Sequence, residues 1–483
     1  MKHLLTIVAS LALAACAAGP DFKPPVNAPG TLVNARSSAL APLEPRSPEG
    51  VWWQQFDDPM LNDLMGRALE SNLDIKLAGD RVRAAHAVFS GSEYDYAPHV
   101  PLTAGYAGAR EQEPGFGSQR INAESYSAGL DVAWELDLFG HVRRTVEAAR
   151  GDLAAEREDL EYARIAVAAE VARNYFSLRS TQQQIKVAHD NLENQRAAVH
   201  LTSLRYESGR GTELDVQSSR ARLAATEALL PQLETAQAAE LYRLAVLLGQ
   251  RPGTLDSQLQ PQAVPVYAKA LPIGKDGEDV GILMRNRPDV REAEQRLAAA
   301  TARTGIATAD LFPRVTVTGF VGFLSGDFSH LFSSSSGTDA RAWSIAPSVS
   351  WAALDYGSVH ARLRASRANA DGALVSYEKT VLNALEETEN AFVNYREQQA
   401  RLKSLIEQAE ASHRAADLAA VQYREGVTDF LTLLDAQRTQ LAAESAVAET
   451  EGAVNAGVVA IYKALGGVAP SPAGPTVPRS ETS

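Results

Sequence analysis

Val171, Leu178, Ile185, Leu192, Val199 and Tyr206 recur at intervals of seven within a stretch, Gly140 to Tyr206, that contains no proline. Seven-residue spacing of apolar positions marks a helix that packs along a coiled-coil seam. At 1.5 Å per residue such a helix would run about 100 Å. The phase returns in Leu374, Val381, Thr388, Tyr395, Leu402, Ala409 and Tyr423, with Thr388 and Ala409 weakening the seam. Each long pattern stops at a short turn, Tyr206-Glu-Ser-Gly-Arg-Gly-Thr-Glu-Leu-Asp215 in one case and Tyr423-Arg-Glu-Gly-Val-Thr-Asp-Phe-Leu-Thr-Leu-Leu-Asp435 in the other. In both, a Gly can end the helix in the left-handed conformation and a Thr or Asp can cap the next one. Two hairpin tips are predicted. The first returning helix, Leu214 to Leu248, covers only about half the length of its partner, and Asp74 to Tyr96 predicts a helix that can continue the other half. A short helix is also expected from Pro59 to Glu70, behind an aromatic pair, Trp52 and Trp53, read as ordinary packing.

After Pro98 the period changes to two. Val100, Leu102, Ala104 and Tyr106 alternate with small or polar residues, and Tyr126, Ala128, Leu130, Val132 and Trp134 alternate with Ser127, Gly129, Asp131, Ala133 and Glu135. This predicts a β-hairpin with one apolar face. Val315, Val317, Val321 and Phe323, then Trp343, Ile345, Val349 and Trp351, predict a second. Runs of about ten residues with aromatics near their ends fit tilted membrane strands, and they also fit a soluble two-hairpin sandwich. If they enter a membrane, four strands are too few to close a barrel, whose smallest form has about eight, so chains must pool them. A dimeric coiled-coil rod would account for the helices but has no use for the hairpins.

The two halves are copies. Gly426 stands 217 positions after Gly209, and the same offset pairs Trp351 with Trp134, Phe392 with Tyr175, Glu387 with Glu170 and Gly466 with Gly249. A repeat on this scale is a duplication of the whole unit. It divides the chain into repeat 1 over 51–250, with a β-hairpin at about 99–137 and a helical hairpin at about 140–248, a Pro- and Gly-containing linker over 251–281, and repeat 2 over 282–467, with hairpins at about 314–354 and 357–465. A disordered tail is expected over 468–483.

Lys2 and His3 precede an apolar run, Leu4 to Leu13, too short to span a bilayer but suited to a signal peptide over 1–15. Leu13-Ala14-Ala15-Cys16 matches a bacterial lipobox, so lipidation of Cys16, the only cysteine, is expected, with 16–50 as an extended strap. A single cysteine excludes disulfides within the chain and thiolate zinc sites. A net charge of -13 argues against a nucleic-acid partner. No enzyme is expected: there is no His-Glu-x-x-His and no Gly-x-Ser-x-Gly, and Gly274-Lys275 lacks the rest of a phosphate loop. No metal or cofactor site is predicted.

Cys-Ala-Ala-Gly-Pro-Asp-Phe-Lys-Pro-Pro25, Trp53-Gln-Gln-Phe-Asp-Asp-Pro59, Trp134-Glu-Leu-Asp-Leu-Phe-Gly140, Arg287-Pro-Asp289, Leu354-Asp-Tyr-Gly357 and Tyr423 to Arg438 resemble, over nearly the whole chain, the outer-membrane efflux lipoproteins, TolC-like outer-membrane factors of tripartite pumps. The resemblance implies an α+β membrane protein, a homotrimer in which three chains form a twelve-strand outer-membrane β-barrel continued by a twelve-helix periplasmic α-barrel. It implies a passive exit channel for drugs or other small solutes, served by a periplasmic adaptor and an inner-membrane pump, with polypeptide secretion or a structural lipoprotein as alternatives. Lipid attachment in the outer membrane is implied at Cys16. By the same resemblance Tyr423 and Asp215 are candidates for a phenol-to-carboxylate link between neighbouring hairpins, although Tyr423 also continues the heptad seam and Asp215 can form a capping box with Thr212. Leu431 and Asp435 lie one turn apart on one helix face. Facing a tunnel, they would make a periplasmic gate of leucine and carboxylate rings, with Arg438 placed to neutralise Asp435.

Overall fold

The computed structural model describes residues 18–25, 51–112, 120–262, 287–335, 337 and 339–467. The expected signal peptide, Cys16, most of the strap, much of the linker and the C-terminal tail lie outside them. After a 3-10 turn, Trp52–Phe56, the elements are α1 (Pro59–Ser71), α2 (Leu73–Glu93), β1 (Leu102–Gln112), β2 (Arg120–Leu136), α3 (His141–Glu207), α4 (Glu213–Glu227), α5 (Leu230–Leu247), α6 (Pro288–Ala309), β3 (Arg314–Ser325), β4 (Arg341–Ser350), α7 (Tyr356–Arg424) and α8 (Phe430–Ala464). They fall into two units. Asp80–Arg157 and Glu292–Lys379 with the N-terminal residues form one, and Asn27–Gly79, Glu158–Arg291 and Thr380–Ser483 form the other.

In the first unit the two hairpins join through β2 and β3 into one antiparallel sheet of order β1-β2-β3-β4. Directly opposed residues share a face, so the register sorts the side chains. One face carries the rows Leu102–Leu130–Val321–Trp343, Val132–Gly319–Ile345 and Leu136–Val315–Val349. The other carries Thr103, Ser127, Asp131, Thr318 and Ser344, with Phe320 and Leu324 of β3 as large apolar exceptions. The apolar face is bare: Leu102 is 79% exposed and Trp343 77%. At the base of the sheet the repeat is visible in atoms, because Trp134 donates to the Tyr96 carbonyl at 3.1 Å and Trp351 to the Leu311 carbonyl at 3.0 Å. Phe139 and Phe312 stack there with centroids 4.9 Å apart.

The chain just after the expected lipidation site is tied to that base. Ala18 donates its N–H to the Phe139 carbonyl at 2.9 Å. The buried Arg144 guanidinium donates to the Ala18 carbonyl at 3.3 Å and pairs with Asp21 and Glu147, each at 2.7 Å. A buried cation needs such partners to offset its desolvation, and this one obtains two of them from the strap.

The second unit holds the returning helices α4, α5 and α8 with their seals, and the tip-side parts of α3 and α7. The single returning helix predicted over Leu214 to Leu248 is instead two helices, α4 and α5, interrupted at Ala228 and Leu229. Pro231 is the cause, since it lacks an N–H and is tolerated only in a helix's first turn. In the second repeat Ala448 occupies the equivalent position and α8 runs unbroken over 35 residues. Where α5 ends, Asn72 donates to the Leu247 carbonyl at 2.8 Å and Ser71 to the Leu248 carbonyl at 2.7 Å, while the Asn72 side-chain oxygen accepts from Asp74 N at 2.8 Å. One buried amide thus closes one helix and opens another. Where α8 ends, the seal is Arg287, which donates to the Ala464 carbonyl at 2.5 Å and pairs with Asp289 and Glu387 at 2.8 Å. Trp52 and Trp53 are buried as expected, Trp52 stacking on Tyr462 at 5.3 Å.

The heptad seam is uneven. Val171, Leu178, Leu192, Tyr395 and Leu402 are buried, whereas Tyr206 and Leu374 are exposed. A straight α-helix drifts about 20° per heptad against a strict seven-residue repeat, which carries Tyr206 and Leu374 off the seam, while Tyr423, at the end of the second pattern, is buried by the packing of the tip. Thr388, read as a weak point, is fully buried, and its hydroxyl donates to the Ala384 carbonyl at 2.7 Å.

Candidate functional site

The two hairpin tips lie together in the second unit. Gly209 and Gly426 both have φ of +75°, the left-handed conformation that side chains resist. Arg210 N donates to the Arg205 carbonyl at 2.8 Å and Val427 N to the Gln422 carbonyl at 2.9 Å, which satisfies carbonyls that the helix ends would otherwise leave open. Thr212 then caps α4 and Asp429 caps α8, the latter accepting from Thr432 N at 2.9 Å. The tips are built as the sequence predicts.

Between them lies a small core of Ala198, Ala419, Tyr423, Phe430 and Leu433. Tyr423 is 3% exposed, its ring 5.5 Å from Phe430. The Arg205 guanidinium sits 4.6 Å over that ring and donates to the Tyr423 carbonyl. The sequence reading missed Arg205. Its duplicate position is Gln422, so the repeat gives no cue to it.

Asp215 accepts from Thr212 N at 3.1 Å while Thr212 accepts from Asp215 N at 3.2 Å, a complete capping box. Its charge nevertheless reaches Tyr423. Burial pushes the Tyr423 phenol above its ordinary value, Asp215 adds to the effect and Arg205 opposes it. The phenol oxygen is buried with no hydrogen-bond partner among the described residues. Such an orphan is costly, and a partner for it is expected.

Leu431 and Asp435 stand on the first turns of α8, and both are exposed. Arg438 pairs with Asp435 at 3.1 Å. Burial and the charge of Arg438 together hold Arg222 of α4 below its ordinary value. Cys16 lies outside the described residues. Among those residues no group of three or more His, Cys, Asp or Glu is arranged to hold a metal ion, and no helix is long and apolar enough to cross a membrane.

The chain as a whole is similar to known proteins. The family described as outer membrane efflux protein matches residues 64–250 and 281–467, one match for each repeat. The probable efflux pump outer membrane protein TtgC of Pseudomonas putida is 30% identical over 475 residues, which cover 96% of this chain and 96% of that protein. Nodulation protein T of Rhizobium leguminosarum bv. viciae is 29% identical over 456 residues, 92% of this chain and 89% of the relative. The solved structure of the outer-membrane channel OprN superimposes with a TM-score of 0.88 at 48% identity, covering 94% of this chain and 99% of that one.

Proposed function

The chain belongs to the outer membrane efflux protein family, and from that premise we propose that it works as a homotrimeric exit duct of a tripartite pump. The observation that carries this reading is the four-stranded sheet, with one bare apolar face, one polar face and two open edges. Unpaired strand edges cannot be left in lipid. Three copies supply twelve strands, and edge-to-edge closure turns the apolar face to lipid and the polar face to the bore. The helical hairpins continue the duct into the periplasm, where an adaptor and an inner-membrane pump supply the solute and the energy. Nothing in the duct is asked to do chemistry.

The tips close the periplasmic end in this reading. A carboxylate from a neighbouring hairpin satisfies the orphan Tyr423 phenol, and Asp215 is the group whose charge already reaches it. Leu431 and Asp435 form rings under threefold symmetry, the first resisting hydration and the second attracting cations. Acyl chains on Cys16 add a lipid anchor in the outer membrane.

Planar-bilayer recording and mass measurement of the detergent-extracted complex test the proposal together. The expected result is a trimer that conducts. A monomer or dimer of intact secondary structure, or a trimer with no conductance, would overturn it.

A further inference from the structure

Among the described strand residues, the polar face of the sheet carries one aromatic side chain, Phe320. It stands directly across from Asp131 on β2 and from Ser344 on β4. An apolar ring at a position patterned for water calls for a local reason. Packing accounts for only half of it. Gly129 and Gly322 face one another across β2 and β3. A Cβ on Gly129 would come 2.8 Å from Phe320 Cε2, and one on Gly322 would come 3.0 Å from Phe320 Cζ. The same added atoms would meet the opposite strand's backbone, at 2.6 Å from the Val321 carbonyl oxygen and 2.4 Å from the Ala128 carbonyl oxygen. The glycines leave room for the end of the ring over the wall. The side chain is only half-buried there.

Beside it is an oriented charge. Opposed side chains on a sheet have Cβ atoms about 5 Å apart, so the Asp131 carboxylate borders the ring. Thr103 donates its hydroxyl to Asp131 Oδ2 at 2.6 Å, which fixes the carboxylate. A half-exposed ring next to a held carboxylate suits a flat organic cation, through stacking and cation–π attraction to the ring and charge attraction to the carboxylate.

We infer that Phe320 and Asp131 form a transient contact site for aromatic cations on the inner wall of the barrel, three such sites at one height in each trimer. The inference rests on the exit-duct reading. A conduit needs such contacts to be weak enough to release what they hold, and the half-exposed setting keeps them so.

The test is ethidium, added to the barrel side of single trimers in planar bilayers, read as brief interruptions of the potassium chloride current. Wild type is expected to show them. Phe320→Ala and Asp131→Asn should each shorten the interruptions about two- to fivefold, the size of an exposed cation–π contact. Phe320→Leu keeps bulk without a ring and should resemble Phe320→Ala, whereas Phe320→Trp should lengthen them. Interruptions of wild-type duration in Phe320→Ala and Phe320→Leu would overturn the site. So would a conducting wild type that ethidium does not interrupt. A wild type with no current would overturn the duct itself, and the site with it.

Discussion

Glu387 shows how much a single residue depends on its setting. Burial works to raise its carboxyl, but hydrogen bonds and charge from Lys463 and Arg287 outweigh this, and the group sits below its ordinary value of 4.5. A carboxylate depressed in the folded state contributes stability that is complete above the unfolded value and is lost as the pH falls through the folded one. Glu387→Gln keeps an acceptor but removes the charge facing Arg287. It should cost about 1–3 kcal/mol near pH 7, with Tm approaching that of wild type as the pH falls below about 4. Thermal unfolding of the two proteins from pH 7 to pH 3 checks this; a pH-independent difference would mean that the charge is not what matters. The duplicate of Glu387, Glu170, pairs with Arg243 instead. The carboxylate was legible from the repeat, but its partner was not.

At the scale of elements, caps and breaks decide where helices stop. Thr212 holds the start of α4 through both arms of a capping box, and Thr212→Ala should cost about 1 kcal/mol locally. The measurable consequence is at the tip: trypsin should cleave faster after Arg210 than in wild type, because cleavage needs the turn to open. Unchanged cleavage would show that packing alone holds the tip. The contrast between Pro231 and Ala448 makes a second case. Ala448 is buried in unbroken α8 and accepts a hydrogen bond from Ser180 at 2.9 Å. Ala448→Pro should cost about 3 kcal/mol or more, read as a lower yield and lower Tm of the folded assembly, although proline stands at this position in the first repeat. Helix signals, turn glycines and caps were all readable in the sequence. The two helices in place of one were also readable at Pro231, where the apolar pattern outweighed a single residue.

At the scale of the whole molecule, closure belongs to the proposed trimer. Leu431→Ala should raise resting conductance, because a smaller ring resists hydration less, and Asp435→Asn should lower cation preference by an amount that its pairing with Arg438 limits. Recordings in asymmetric salt check both, and unchanged conductance with unchanged reversal potential would move the gate elsewhere. Cys16 should carry the lipid at the mature N-terminus, as intact mass will show, while Cys16→Ser should still insert, since the twelve strands of the proposed trimer anchor more firmly than acyl chains. The sequence by itself determined the duplication, the type of each element and the length of most, the turn chemistry of the tips and the alternation that makes a sheet with one apolar face. All of these are local, written in spacing and in residues whose backbone preferences act within a few positions. Only tertiary structure decided what meets across distance: that β2 pairs with β3 so that the two repeats share one sheet, that Arg205 lies over Tyr423, that Asn72 and Arg287 seal the ends of α5 and α8, and that Phe320 reaches over two glycines and stands across from Asp131. Tyr206 and Tyr423 occupy the same position in their repeats, yet one is exposed and the other buried. Their environments differ because burial depends on the neighbour that arrives, and spacing along one chain does not record that neighbour.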